Sequence, residues 1–318
     1  MQKRLNIAFA ILALALVAWG SPPLALVAGM IFALFFGAPF PSHGPRLSKT
    51  LLQVCVVLLG FSMNLPVVLR AGLNGSLFAV ATIGTTLLLG FWLGGRLALN
   101  SKTSALISAG TAICGGSAIA AVGSVIAVTE AEIAVAIGTV FLLNAAALYL
   151  FPLAGHALHL SQTEFGLWAG VAIHDISSVV GAAMSYGSGS LETATAVKLS
   201  RTLWIAPLTL GMGLWFRRHQ EAASEGKAKS KFAVPWFIGF FLLASLVRSC
   251  VPVMEYWTPW ISQTAREGMT LVLCLIGSSI SARALRMLGW RTVALGVALW
   301  LFISIGSLLA IRLLKLTS

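Results

Sequence analysis

Gly110-Thr111-Ala112-Ile113-Cys114-Gly115-Gly116-Ser117-Ala118-Ile119-Ala120-Ala121-Val122 is the stretch on which the reading of this chain turns. It lies in a window from 103 to 127 without a single charge, long enough for a membrane helix, yet it carries paired glycines near its middle. Each glycine costs a helix about 1 kcal/mol relative to alanine. Two readings stay open from the residues. Small side chains can let two helices pack closely, as Gly90-x-x-x-Gly94 and Gly166-x-x-x-Gly170 also could. Alternatively, the helix breaks there and frees N–H groups at the start of a second half-helix, whose positive dipole end attracts an anion. Unwound backbone at membrane depth is tolerated only beside protein or a polar cavity.

Composition sets the surroundings of that stretch. Of 318 residues, 58% are hydrophobic and 9% charged, with a net charge of +12. A soluble domain carries about a quarter charged residues, so the exterior of this chain must face lipid. The expected fold class is an all-α polytopic membrane protein. Charge-poor windows place helices near 5–19, 24–38, 50–69, 76–95, 103–127, 133–153, 164–186, 193–216, 232–250, 267–287 and 292–312, eleven spans in all. The first, between Lys3-Arg4 and Gly20-Ser21-Pro22-Pro23, also resembles a signal-peptide hydrophobic region; it is kept as a helix over 1–22. With the N-terminus in the cytoplasm, fourteen Lys and Arg fall inside, among them Arg46, Lys102, Arg217 and Arg286, and five fall outside. That asymmetry predicts a cytoplasmic N-terminus and a periplasmic C-terminus. The basic excess therefore reads as membrane orientation, with no nucleic-acid partner. Residues 217–231, rich in Lys, Glu, Ala and Ser, read as a cytoplasmic linker.

Eleven spans divide as one plus ten, which suggests two five-helix repeats of opposite orientation, 23–160 and 161–318. Gly116-Ser117-Ala118-Ile119-Ala120-Ala121 of span five resembles Gly277-Ser278-Ser279-Ile280-Ser281-Ala282 of span ten. A competing match sets Leu59-Gly60-Phe61-Ser62 against Ile276-Gly277-Ser278-Ser279, and parity does not choose between them. The expectation is that discontinuous spans five and ten cross near the site.

Ionisable residues mark where chemistry could occur. Ala172-Ile173-His174-Asp175-Ile176-Ser177-Ser178 puts two such groups about 16 Å into span seven, near the bilayer centre. A charge there is expensive and is by default a functional candidate. Asp175 shares a helical face with Ser178, and His174 has Ser177 and Ser178 as neighbours. In span eight, Lys198 and Arg201 stand on one face at about 9 and 13 Å depth. Snorkelling to the outer interface is the plainer reading for Lys198, whereas Arg201 is too deep for it. An ion pair of Asp175 with Arg201 would leave one positive charge for a substrate anion, held by the guanidinium fork. Asn144 and Gln53 read as helix-to-helix hydrogen bonds without a functional role. Cys55, Cys114, Cys250 and Cys274 show neither disulfide nor metal spacing. The sequence holds no H-E-x-x-H, G-x-S-x-G, Walker A or G-x-G-x-x-G motif, so neither an enzyme nor ATP-driven pumping is expected, and no cofactor.

The Gly110–Val122 motif resembles the YeiH-like family of bacterial inner-membrane proteins, whose family name carries sulfate export. Supporting stretches are Val57-Leu58-Leu59-Gly60-Phe61-Ser62-Met63-Asn64-Leu65, Ile173–Ala182 and Val197-Lys198-Leu199-Ser200-Arg201, so the resemblance covers most of the chain. It implies a multipass carrier related in fold to bile-acid and citrate carriers, with inverted repeats and discontinuous crossing helices. It also raises the weight of a break in span five and of a site lined by these charges. Gly123-Ser124 departs from the Ala-Pro that family members often carry.

The resulting expectation is a secondary carrier for a small anion, sulfate or sulfonate-like, working by alternating access in the bacterial inner membrane. Arg201 and Lys198 would hold the anion, and Gly115, Gly116, Ser117 and Ser278 would offer donors. Asp175 would balance charge, and His174 is the candidate proton carrier; H+ and Na+ are both admissible coupling ions. An anion-selective channel and a carrier of a different solute are the alternatives, and a homodimer is left open.

Overall fold

The computed structural model describes residues 2–19, 22–37, 39–40, 44–61, 65–126, 128–220, 236–279 and 289–314, and among them there is no strand. In chain order the helices are α1 (Gln2–Trp19), α2 (Pro22–Phe36), α3 (Gly44–Gly60), α4 (Leu65–Arg96), α5 (Ser101–Ala112), α6 (Gly116–Gly123) and α7 (Glu130–Ala157). They continue as α8 (Gln162–Ala172), α9 (Ile176–Tyr186), α10 (Ser188–Thr202), α11 (Ile205–Gln220), α12 (Trp236–Cys250), α13 (Met254–Ser279) and a last helix, α14 (Trp290–Leu314).

Local chemistry explains the starts. Asn100 caps α5 by accepting from the Lys102 amide at 3.0 Å. Thr129 with Glu132 and Ser161 with Glu164 form reciprocal capping boxes at α7 and α8, which satisfy amides that a helix leaves without partners. Three helical stretches, Phe78–Arg96, Ala131–Ala157 and Trp290–Leu313, are long and apolar enough to cross a membrane. Shorter apolar helices cover Arg4–Ala18, Leu24–Phe36, Ile176–Tyr186 and Gly239–Cys250. Phe35 is 80% exposed, Leu88 74% and Leu313 79%. Large apolar side chains in such positions are stable only against lipid.

Two groups of helices pack internally. One comprises α1, α2, α3, α12 and α13; the other runs from α4 to α11 and includes α14. Inside the first, α2 and α13 approach backbone to backbone. A side-chain carbon at Gly277 would collide with the Leu26 carbonyl, and one at Gly29 with that of Cys274. The groups meet chiefly where α9 lies against α2 and α13, and where α12 lies on α4.

Several expectations need correcting. Span seven is not one helix, because it ends at Ala172 and restarts at Ile176. Span eight is interrupted by a turn at Leu203–Trp204 between α10 and α11. The first residues of the 217–231 linker continue α11 as far as Gln220, and the rest lies outside the described residues. The span-ten motif is described only to Ser279, so Ile280–Ala282 lies outside as well.

Candidate functional site

Span five does break. α5 ends at Ala112, Gly115 takes φ +66°, and α6 begins at Gly116. Positive φ of this size strains any residue with a Cβ, which accounts for a glycine at this point. A Cβ on Gly115 would also stand 3.1 Å from Val140 Cγ1 and 3.6 Å from His174 Cβ. The break in span five therefore faces the break in span seven, and the crossing lies between spans five and seven. The expected crossing with span ten concerns a motif described only to Ser279, and up to that residue α13 packs mainly on α2 and α3.

The two breaks expose opposite needs. At the end of α5 the carbonyls have lost their helical partners, and span eight supplies substitutes. Lys198 Nζ donates to the Ile113 carbonyl at 3.1 Å. Arg201 donates through Nη2 to the Ala112 carbonyl and through Nη1 to Thr82 Oγ1 at 2.9 Å. Cations at a helix C-terminus are favoured by its dipole as well. Lys198 is 0% exposed and Arg201 1%, so Lys198 does not snorkel.

At the second break the need is for acceptors. Asp175 is the N-cap of α9; its carboxylate accepts from the Ser177 amide at 3.1 Å and from the Ser177 hydroxyl. Asn144 Oδ1, reaching across from α7, accepts from the amides of His174 at 3.2 Å and Asp175 at 3.4 Å. Sequence reasoning passed over Asn144 as a packing residue. It does bond to a neighbouring element, but to unwound backbone at the junction. Among the described residues, Asp175 has no ion pair with Arg201, and neither Lys198 nor Arg201 has a carboxylate within the 4 Å of a salt bridge. The expected Asp175–Arg201 pair is corrected accordingly, because each group is engaged by a different half-helix end.

The remaining expected residues separate. Gly115 lies buried in the junction, while Gly116 is half-buried with room for a Cβ, its nearest neighbour being Phe141 at 3.8 Å. Ser117 is exposed. Ser278 is buried, and its hydroxyl donates to the Leu275 carbonyl of its own helix at 2.8 Å. His174 is 1% exposed, and neither ring nitrogen has a partner. A narrow recess opens between the two helix groups, with Leu26 and Ile276 on one wall and Phe141, Asn144, Asp175 and Ser178 on the other. The Nδ2 of Asn144 is unpartnered. No cluster of metal-ligating side chains occurs among the described residues.

Lipid-facing helices, broken spans and buried ionisable groups together define an all-helical membrane protein with a polar centre. Comparison with known proteins places it further. A family profile described as "Conserved hypothetical protein 698" matches residues 5–296. A UPF0324 membrane protein of Porphyromonas gingivalis is 46% identical over 301 residues, 93% of this chain and 88% of the relative. One of Bacteroides thetaiotaomicron is 44% identical over 92% of this chain and 86% of its own length. One of Geobacter sulfurreducens is 41% identical over 95% and 94%. The chain belongs to this UPF0324 membrane-protein family, and the YeiH-like resemblance agrees with it. No solved structure matches.

Proposed function

We propose that the chain is a secondary carrier that moves a small anion, of the sulfate or sulfonate-like class, across the bacterial inner membrane by alternating access. The observation that carries this reading is the charge of the junction. Two fully buried cations are set against one half-buried carboxylate that is spent on α9. Half-helix ends contribute about half a charge each, negative at α5 and α8 and positive at α6 and α9. The balance leaves about one positive charge in a medium where isolated charge is costly. A bound anion supplies the missing negative charge.

The remainder of the reading follows from the same centre. Eleven spans result if α5 with α6, α8 with α9 and α10 with α11 each count as one interrupted crossing. The asymmetry of Lys and Arg supports a cytoplasmic N-terminus, the two five-helix repeats belong to this proposal, and export is the direction that the resemblance suggests. Asp175 faces the recess between the helix groups, so a coupling H+ or Na+ acts there, with His174 as proton carrier. No enzymatic step belongs to the reading.

Thermal unfolding of the purified protein with sulfate, sulfite, thiosulfate, phosphate, small sulfonates and carboxylates tests the anion. Saturable stabilisation by one oxyanion is expected. Arg201→Lys is the control, because Arg201 also holds the α5 carbonyl and alanine would leave that group unpaired. It should weaken binding while the protein stays folded. In proteoliposomes, uptake driven by a pH gradient without sodium, and lost in His174→Gln, identifies proton coupling. Unitary currents in a planar bilayer would make the protein a channel instead. Stabilisation by none of the anions would remove the anion reading.

A further inference from the structure

The anion reading leaves open which groups touch the anion, and the hydrogen bonds narrow the choice. Arg201 spends one terminal nitrogen on Ala112 and the other on Thr82, and its Nε has no partner. Two more buried polar atoms nearby are also unpartnered, Thr86 Oγ1 on α4 and Thr111 Oγ1 on α5. Thr86 is 0% exposed and Thr111 1%.

Their placement follows from the register of α4 against α5. A Cβ on Gly94 would collide with Ser104, and one on Gly90 with Ser108. The helices run antiparallel, and each step of four residues back along α4 matches four forward along α5. One further step puts Thr86 level with Ala112, whose carbonyl receives Arg201. Thr111 precedes Ala112 in the chain, and Thr82 is one turn from Thr86. The packing of Ala79 and Ile83 with Ala112, Ile113 and Cys114 confirms that register. The positions that carry both free hydroxyls thus lie within about one helical turn of the Ala112 carbonyl that Arg201 holds.

Threonines of α4 elsewhere behave differently. Thr82 and Thr85 donate to carbonyls one turn back in their own helix, at 2.8 and 2.7 Å. Thr86 and Thr111 forgo that bond. A buried hydroxyl without a partner costs about 1–3 kcal/mol, so native proteins seldom keep one unless something else fills the role.

Resting on the carrier reading above, we propose that Thr86, Thr111 and the Nε of Arg201 form the oxyanion subsite of this protein, on the α4 side of the junction. Three donors around a fixed positive charge suit a small oxyanion with several acceptor oxygens. In this arrangement Arg201 holds the end of α5 with one terminal nitrogen, Thr82 of α4 with the other, and the solute with its third. Lys198 contributes field without contact. Gly116 and Ser117, expected to be ligands, lie outside this subsite.

Full-length protein in detergent is titrated with sodium sulfate, sodium sulfite and sodium phosphate, and thermal unfolding is read for wild type, Thr86→Val, Thr111→Val and Thr86→Ser. Nonspecific stabilisation by these salts is common to all four proteins, so the saturable part of the shift is compared. The subsite requires about tenfold weaker apparent affinity in each valine variant, and near-wild-type affinity in Thr86→Ser, which keeps the hydroxyl. It also requires that the anion-free valine variants unfold at the same or a higher temperature, because a methyl replaces an unpaired polar group. Wild-type binding that survives in both valine variants overturns the subsite and leaves the carrier reading intact. A lower anion-free unfolding temperature in both valine variants, with unchanged anion affinity, shows that the hydroxyls serve the fold and overturns it too. Absence of any saturable shift in wild type removes the carrier reading, and the subsite with it.

Discussion

Asn144 illustrates how one side chain can hold a membrane junction together. Its oxygen serves two amides that no helix satisfies, at 3.2 and 3.4 Å. Asn144→Leu strands both in a medium without water. Each buried unsatisfied group costs about 1–3 kcal/mol, so the variant should lose about 2–6 kcal/mol, measured by unfolding in mixed detergent micelles. A loss below about 0.5 kcal/mol would mean that water replaces the asparagine. The sequence made Asp175 conspicuous, because an acid at mid-membrane depth has no routine explanation. Asn144 carried no comparable signal, since a single amide in a membrane helix is ordinary. Thr86 and Thr111 were less legible still, because a threonine normally bonds its own helix and only coordinates reveal one that does not.

Broken spans are the elements on which the centre depends. The break at Gly115 was readable because two adjacent glycines are costly in a helix. The break at Ile173–Asp175 was not, since Ala-Ile-His-Asp-Ile contains no glycine or proline. Its signature was Asp175-Ile176-Ser177, an ordinary N-cap sequence that counts as a helix start only if the preceding residues are allowed to unwind. The snorkelling reading of Lys198 failed for a related reason, as its depth suited an interface anchor and the orphan carbonyl that it serves lies in another span. Gly115→Ala meets both a strained φ and Val140 at 3.1 Å, and should destabilise by about 1–2 kcal/mol from backbone strain alone. Adding Val140→Ala would recover only the steric part. If the single variant unfolds like wild type, the junction is not rigid at that point.

At the scale of the molecule, two helix groups meet across the recess that contains Asp175. Ile276 on one side and Ala145 on the other both line it. After Cys250, the one exposed cysteine, is changed to serine, the pair Ile276→Cys/Ala145→Cys can be joined by a reducible bifunctional thiol reagent. Transport should stop on linking and return on reduction; transport by the linked protein would show that the groups need not separate. The same organisation bears on how the chain enters the membrane. The carbonyls of Ala112 and Ile113 are closed by side chains 89 and 85 residues later in the chain. When span five leaves the ribosome, nothing that will complete it has yet been made. A nascent chain stopped before Lys198 should therefore keep span five as an uninterrupted helix, or hold it back at the insertion machinery, and the break should appear only after span eight arrives. Biogenesis of this protein is then ordered by electrostatics, with the last cation of span eight closing a junction opened three spans earlier.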